Sequence, residues 1–226
     1  MNNETREVLS ALLAGRTYIY SLFHTLTGAE PTQEIVAAAS GEAAQQAVAL
    51  FAQDDAKAPA LLAAALELLK GTALADLKGE YTRLFLGPED YIAAPWESVY
   101  TTKERALFQE STLDVRTWFR RFGYVAGGYP NHPDDHISLM MDFLARTTQM
   151  AAEELARGEI KACTAILADQ ADFEKAHLLN WLYKYAKDMQ MSESNFFYPQ
   201  LAVALVEFVA YDQQIIGEML EACAQE

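Results

Sequence analysis

Hydrophobic residues recur at intervals of three and four along most of the chain, which is the spacing of an amphipathic helix. In the first such segment, residues 5–27, apolar side chains share one face, and Gly28 and Pro31 are typical of its end. The same spacing predicts helices over residues 32–53, 58–70, 73–86, 102–122, about 132–157, 160–167, 169–187 and 192–224. No stretch alternates with the period of two that is typical of a strand. The pattern therefore predicts an all-α fold of about eight or nine helices packed around one core.

The length of 226 residues allows one large domain or two small ones. We find no internal repeat and predict a single all-helical domain over residues 1–226. The glycine- and proline-rich link at Gly127-Gly128 is a candidate hinge. It would divide the domain into an N-terminal part, 1–126, and a C-terminal part, 131–226.

The composition is that of a soluble globular protein, with 51% hydrophobic residues and a mean hydropathy of -0.05. The longest apolar runs, such as residues 58–66, fall short of the ~18 residues needed to span a membrane. The N-terminus shows no basic segment before an apolar one, so no signal peptide is expected. Cys163 and Cys223 are too few for a disulfide framework and are predicted to be buried or half-buried. These features predict a cytoplasmic protein without membrane insertion.

The net charge is -15, from 17 basic and 32 acidic residues. Binding to a nucleic-acid backbone needs clustered lysine and arginine, so this charge disfavours DNA and RNA as partners. It would instead attract a cationic partner, although acidity can also serve solubility alone.

The histidines give one pair with a spacing that helical metal sites use, since His132 and His136 lie four residues apart. The residues between them include Asp134 and Asp135, but no glutamate in the His-Glu-x-x-His order. A helix start is the better interpretation. Asn131 or His132 would cap the helix, and the two aspartates would lie in its first turn, near the positive end of the helix dipole. We therefore predict neither a metal site nor a bound cofactor.

Common catalytic and nucleotide-binding motifs are missing from the chain. It has no Gly-x-Ser-x-Gly elbow, no Gly-x-x-x-x-Gly-Lys phosphate loop and no Gly-x-Gly-x-x-Gly turn. An enzyme that uses His136 as a base oriented by Asp135 stays an alternative. Adjacent residues on a helix rarely point the same way, however, so the sequence favours a protein that is not an enzyme.

Several short motifs follow one another between residues 80 and 136. They are Tyr-x-x-Leu-Phe with a Gly-Pro turn (81–88), Pro-Trp-Glu-Ser-Val-Tyr (95–100), Glu-Ser-Thr-Leu (110–113) and Asn-x-Pro-x-Asp-His (131–136). In this order they resemble the TorD/DmsD family of redox-enzyme maturation chaperones, most closely its DmsD-like branch. Aromatic residues and prolines in loops also suggest a surface that binds a partner.

The resemblance implies a cytoplasmic chaperone that binds the twin-arginine signal peptide of a molybdenum-cofactor oxidoreductase subunit. Such a chaperone assists folding, cofactor insertion and export proofreading of its client, as a monomer or a domain-swapped homodimer. A leader of this kind carries two arginines followed by an apolar segment. Its receptor therefore needs acidic side chains beside an apolar groove.

The resemblance places the leader against the motif residues. The candidate peptide-binding residues are Tyr81, Leu84, Phe85, Trp96, Glu97, Ser98, Tyr100, Pro133, Asp134, Asp135 and His136. The candidate guanidinium partners are Glu89, Asp90, Glu97, Asp134 and Asp135. A carboxylate pairs bidentately with arginine but not with lysine, which would explain selectivity for an arginine pair. Core packing is the competing interpretation for the helical residues at 81, 84 and 85, and a helix cap is the competing one for His136.

Two positions depart from the family pattern. His132 stands where the family often has an acid before Pro133, and Met140 stands where a glutamate is common. These differences leave open which acids would hold the leader. An acidic helical adaptor for a folded partner is the remaining alternative, and its binding would be insensitive to exchanging arginine for lysine.

Overall fold

The computed structural model describes residues 1–52, 56–86, 92–127, 132–194 and 197–224. Within these ranges the chain forms eleven α-helices and one five-residue π-helical turn. The elements are α1 (Asn3–Gly28), α2 (Gln33–Ala39), α3 (Glu42–Leu50), α4 (Lys57–Gly71), α5 (Leu74–Tyr81), the π-turn (Thr82–Leu86), α6 (Glu97–Thr101), α7 (Glu110–Arg121), α8 (Ile137–Arg157), α9 (Ile160–His177), α10 (Leu182–Gln190) and α11 (Phe197–Ala224). The one extended pairing among these residues is a single bridge between Trp96 and His136. The all-α prediction is confirmed, with more helices than the pattern predicted.

Helix α1 packs along α8, and α11 packs along α4, α9 and α10. The contact between α1 and α8 is so close that a Cβ atom at Gly28 would lie 2.1 Å from Ser138 Oγ. Ser138 Oγ also lies 3.0 Å from His24 Nδ1, so it cannot turn away without losing that partner. Because glycine has no side chain, Gly28 allows α1 to pack directly against the first turn of α8.

The apolar core is continuous through the described helices, and aromatic rings join its layers. Phe143 on α8 lies between Phe119 on α7 and Phe173 on α9, with ring centroids 4.9 and 4.8 Å away. Such tilted pairs stabilise a core beyond the area they bury. Cys163 and Cys223 are buried free thiols, as predicted.

A polar network of five side chains, Arg16, Tyr20, Gln170, Glu174 and Asp212, crosses the core. Arg16 donates from Nε and Nη2 to the two Asp212 oxygens at 2.7 and 2.8 Å, and from Nη1 to Gln170 Oε1 at 3.0 Å. The Tyr20 hydroxyl lies 2.6 Å from Asp212 Oδ2 and 2.8 Å from Glu174 Oε1. Burial and the Asp212 charge raise the pKa of Glu174 well above its usual range. The network therefore joins α1, α9 and α11 through groups that cannot be hydrated.

The helix predicted over residues 32–53 is two helices, α2 and α3. Ser40 ends the first, because its Oγ donates to Val36 O at 2.6 Å and competes with the continuing backbone hydrogen bonds. Gly41 then serves as the N-cap of α3.

The helix predicted over 102–122 begins only at Glu110. Arg105 and Phe108 adopt φ angles of 47° and 59°, in the left-handed region that a right-handed helix cannot contain. The preceding motif forms the short helix α6 instead.

The helices predicted over 160–167 and 169–187 have a different boundary. Helix α9 continues to His177, and Trp181 marks the break because its Nε1 donates to His177 O at 2.6 Å. Helix α10 follows as a separate element.

The candidate hinge lies at the edge of the described ranges, since Gly128 falls outside them. The division of the chain at this point therefore stays a prediction. Among the helices of the described residues, none combines the length and apolarity needed to cross a membrane.

Candidate functional site

Two of the motif segments pair through their backbones next to the start of α8. The Glu97 N–H donates to Asp135 O at 3.1 Å, and the Ile137 N–H donates to Pro95 O at 2.8 Å. These two bonds make the antiparallel bridge between Trp96 and His136. The two rings meet edge to face, with centroids 5.1 Å apart.

The Asp135 carboxylate ties three segments together. This residue is fully buried, and its Oδ2 accepts from the Ser98 N–H at 2.7 Å, at the start of α6. Its Oδ1 accepts from Thr112 Oγ1 at 2.8 Å, in the first turn of α7. A carboxylate at a helix N-terminus is stabilised by the unpaired N–H groups there. Asp135 therefore accepts from a backbone N–H at the start of α6 and holds a side chain of the first turn of α7.

His136, rather than Asn131 or His132, is the N-cap of α8. Its Nδ1 accepts from the Ser138 N–H at 3.1 Å. The predicted cap was wrong because the proline turn before position 136 is not helical, so both aspartates precede the helix instead of lying in its first turn. Burial, together with the charges of His24 and His132, lowers the pKa of His136 to about 4.

Asp134 is also buried, and it accepts a hydrogen bond from Arg116 Nε of α7. Pro133 beside it is buried as well. The first three residues of the Pro-x-Asp-His motif are thus packed inside the protein, His136 is half-buried, and both carboxylates of the motif have partners from the same chain. Any leader arginine would have to compete with these partners.

The apolar residues among the predicted peptide-binding residues divide into a buried and a half-buried group. Tyr81, Leu84 and Phe85 are at most 7% exposed, and Phe85 packs against Tyr198 of α11 with ring centroids 5.3 Å apart. Their spacing is that of a core-facing helix, and their binding role stays a prediction.

Trp96 and Tyr100 are half-buried. Tyr100 stacks on Trp181, with ring centroids 5.4 Å apart and an angle of 23° between the planes. Ser98 is fully buried, with its N–H bound to Asp135. Trp96 is therefore a half-buried motif aromatic that contacts the Asp-His turn directly.

An open cleft of about 630 Å³ lies between α6, α7 and α9. We call it the acidic cleft. It is lined by Glu97, Thr101, Thr102, Glu110, Ser111, Leu113, Asp114, Thr117, Ala176, His177 and Asn180. It contains three carboxylates and no lysine or arginine, so its field favours a cation.

His177 lies between two of these carboxylates. Its Nδ1 is 3.0 Å from Glu97 Oε2, and its Nε2 is 3.3 Å from Asp114 Oδ2. Burial raises the pKa of Glu97 above its ordinary value, opposed by His177 and reinforced by the nearby Asp135. Glu97 is 2% exposed, whereas the Asp114 side chain is 60% exposed. The cleft thus has a buried acidic floor and an exposed acidic rim.

Sequence reasoning named Glu97 but missed Glu110, Asp114 and His177. Glu110 and Asp114 are four residues apart on α7, so the sequence could have predicted that they share a helix face. The contribution of α9 to the cleft could not be predicted from the sequence, because His177 and Glu97 are in contact but lie 80 positions apart. Glu89 and Asp90, the other candidate acids, lie outside the described residues.

Three other grooves are formed without the acidic motif residues, and one of them, of about 440 Å³, places Lys57 beside Glu207 and Glu218. The remaining two have few carboxylates. The first of these two, of about 450 Å³, is lined mainly by alanines of α2, α3 and α4 and by the segment before α4. The other, of about 410 Å³, has Arg105, Lys184 and Lys187 in its lining, beside Tyr100. Neither presents a row of carboxylates to a cationic peptide.

Residues 48–187 match the sequence profile of the family described as nitrate reductase delta subunit. The chain is 25% identical over 142 residues to the chaperone protein TorD of Aliivibrio fischeri, covering 63% of this chain and 65% of that protein. It is 28% identical over 132 residues to the "Probable Tat proofreading chaperone DmsD" of Haemophilus influenzae, covering 58% of each. The matched region thus spans less than two thirds of these two relatives.

A longer match reaches the chaperone protein TorD of Vibrio vulnificus (strain YJ016), at 26% identity over 205 residues, or 89% of this chain and 94% of that one. Among solved structures, the "Putative Redox Enzyme Maturation Protein" of Archaeoglobus fulgidus has a similar fold. The TM-score is 0.51 at 21% identity, with 86% of this chain and 93% of that chain covered. The TorD and DmsD relatives carry the names of chaperones, in agreement with the motif resemblance and the prediction of a protein that is not an enzyme. The similarity to the solved structure concerns the fold alone.

Proposed function

The chain belongs to the nitrate reductase delta subunit family, to which the TorD and DmsD chaperones are related, and from this premise we propose that it is a maturation chaperone. In the cytoplasm it would bind the twin-arginine signal peptide of a molybdenum-cofactor oxidoreductase subunit. It would hold that peptide while the client folds and receives its cofactor, and would release it for export.

The observation that carries the proposal is the convergence of the motif segments on Asp135. Its two hydrogen bonds fix the start of α6 and the first turn of α7. As a result, Trp96 stays half-exposed at the surface while the adjacent Glu97 forms the floor of the acidic cleft. An apolar anchor next to buried negative charge suits a peptide in which arginines precede an apolar segment.

The overall charge supports the same partner. A net charge of -15 attracts a cationic leader over long range and raises its rate of association at low salt. It would repel the acidic surfaces of many other cytoplasmic proteins. The acidic adaptor interpretation shares this property, so charge alone does not separate the two functions.

The expected affinity follows from the size of a leader. Burying ~400 Å² of apolar leader surface at ~25 cal/mol per Å² gives a gross ~10 kcal/mol. Ordering a flexible peptide subtracts several kcal/mol, which leaves a dissociation constant of about micromolar. Binding of this strength is reversible, as release of the client requires.

The test is a calorimetric titration of the folded protein with synthetic twin-arginine leaders. We expect micromolar binding of the Arg-Arg leader, and a loss of at least about tenfold when the arginines become lysines or the apolar segment is scrambled. Trp96→Ala should lose a similar amount. Tyr183→Ala, which removes an exposed aromatic outside the motifs, should bind like the wild type.

Failure of the wild-type protein to bind any twin-arginine leader would refute the proposed function. Binding that tolerates lysine in place of arginine would instead favour the adaptor. Circular dichroism of each variant separates loss of binding from loss of the fold.

A further inference from the structure

Resting on the proposed function, we infer that the acidic cleft is the subsite that holds an arginine side chain of the signal peptide. The acids of the Pro-x-Asp-His turn do not serve this purpose. The recognising groups are the Glu110 and Asp114 carboxylates and Ser111 Oγ, with the His177 ring beneath them.

The turn acids are unsuited because their oxygens are already occupied. Both Asp135 oxygens accept short hydrogen bonds from Ser98 and Thr112 in a fully buried position. Asp134, at 2% exposure, is paired with Arg116. An incoming guanidinium would have to break these bonds and would release α6 and α7 from their anchor. A receptor that stays folded therefore needs other acids.

The rim of the acidic cleft supplies them. Glu110 and Asp114 are exposed on one face of α7, four residues apart. Among the described residues neither has a lysine or arginine within ion-pair distance, and Asp114 meets only the His177 ring. Their charge is thus available to a ligand at no cost to the fold.

Two buried polar atoms in the cleft lack hydrogen-bond partners within the described part of the chain, and they point to a ligand. They are His177 Nε2 and Ser111 Oγ. His177 is 3% exposed, and the 3.3 Å approach of Asp114 to its Nε2 is not aligned as a hydrogen bond. A buried polar atom without a partner is costly, so a ligand that provides one gains affinity.

The rim of the cleft calls for a donor, because the Glu110 and Asp114 carboxylates accept hydrogen bonds and donate none. The Ser111 hydroxyl can also accept. A guanidinium carries five N–H donors in a planar fork and no acceptor, so it can bind a rim carboxylate and the Ser111 hydroxyl together. A lysine ammonium offers three donors from one point and cannot span them.

The experiment compares two double variants that remove the same charge. Glu110→Gln with Asp114→Asn neutralises the rim of the acidic cleft, and Glu218→Gln with Glu221→Gln neutralises two exposed acids at the end of α11. Calorimetry with the Arg-Arg leader should show a loss of at least about tenfold for the first pair and less than about threefold for the second. The Lys-Lys leader should respond equally to both pairs, because only long-range charge changes for it.

A smaller probe tests the subsite without the apolar segment. N-acetyl-Arg-Arg-amide, titrated into the labelled protein, should shift the amide resonances of residues 110–114 and 177 in the wild type but not in the first double variant. Ser111→Ala provides a second variant that leaves all charges in place. It should weaken Arg-Arg leader binding about threefold or more without lowering the melting temperature, since its hydroxyl has no partner to lose.

The outcomes separate the subsite from the function it rests on. If the wild type binds the Arg-Arg leader and Trp96→Ala weakens it, but both double variants bind equally well, then the subsite is wrong and the proposed function stands. Shifts of the dipeptide probe that map to the Asp-His turn would also overturn the subsite. If the wild type binds no leader, the proposed function fails first.

Discussion

Replacing Thr112 by valine tests whether Asp135 organises the candidate site. The Thr112 hydroxyl is 1% exposed and donates to the Asp135 carboxylate at 2.8 Å. Valine keeps nearly the same shape but cannot donate, so one buried carboxylate oxygen loses this partner. A hydrogen bond to a charged group contributes about 1.5–3 kcal/mol, and we expect the free energy of unfolding to fall by about 2 kcal/mol.

Two matched variants on the same residue type make the measurement specific. Thr117→Val removes an exposed hydroxyl of α7 that bonds only to a helical carbonyl, and should change stability by less than about 0.5 kcal/mol. Thr112→Ser keeps the donor and should recover most of the loss. Guanidinium chloride unfolding, followed by circular dichroism at 222 nm, gives all three values if the slopes are equal. Equal stabilities for Thr112→Val and Thr117→Val would refute the assignment of Asp135 as the anchor of α7.

Gly28→Ala should lower the free energy of unfolding by about 1–3 kcal/mol, because the new methyl group would overlap a serine hydroxyl of α8. The methyl group of Gly79→Ala would meet nothing within 4 Å, so this variant should raise the free energy of unfolding slightly. Paired thermal melts check this, and equal melting temperatures would contradict the close contact at Gly28. Stability should also fall as the pH drops from about 6.5 to about 4, since the pKa of His136 is about 4 in the folded protein and its ordinary value is 6.5. As the pH falls, the unfolded chain takes up the proton before the folded protein does, which lowers the free energy of unfolding by about 3 kcal/mol below pH 4. His136→Asn retains a capping acceptor without a titrating ring, so its unfolding free energy should depend less on pH over this range; an unchanged slope would count against the assignment.

Helical periodicity was enough to predict the fold class, because burial of one face dominates each long helix. The segment over 58–70 illustrates this, since the structure differs by a single residue at each end. Helix boundaries that depend on a single side chain could not be predicted from the spacing. The break at Ser40 arises from a hydroxyl that bonds to the preceding turn, and the late start of α7 arises from the positive φ angles of Arg105 and Phe108. Both effects are local conformational choices that apolar spacing does not encode.

The candidate site was predicted only as far as its motifs are contiguous. Pro-Trp-Glu and Asp-His were predicted to be functional segments, and that role stays a prediction. The sequence does not show that the Asp135 carboxylate is occupied by hydrogen bonds from Ser98 and Thr112, which lie 37 and 23 positions away. His177 enters the acidic cleft from α9, outside every motif. Such partners depend on tertiary packing, so an acid in a motif cannot be assigned to a ligand until its own hydrogen bonds are known.

The buried network between α1 and α11 has a consequence for the order of events during synthesis. Arg16 and Asp212 are 196 residues apart, and at about 5–20 residues per second the ribosome takes roughly 10–40 s to make the distance between them. During that interval the guanidinium of α1 lacks the Asp212 carboxylate that it pairs with in the core, so the buried network is completed only after the last helix is made. A protein proposed to protect the unfinished state of its clients thus passes through a long unfinished state of its own.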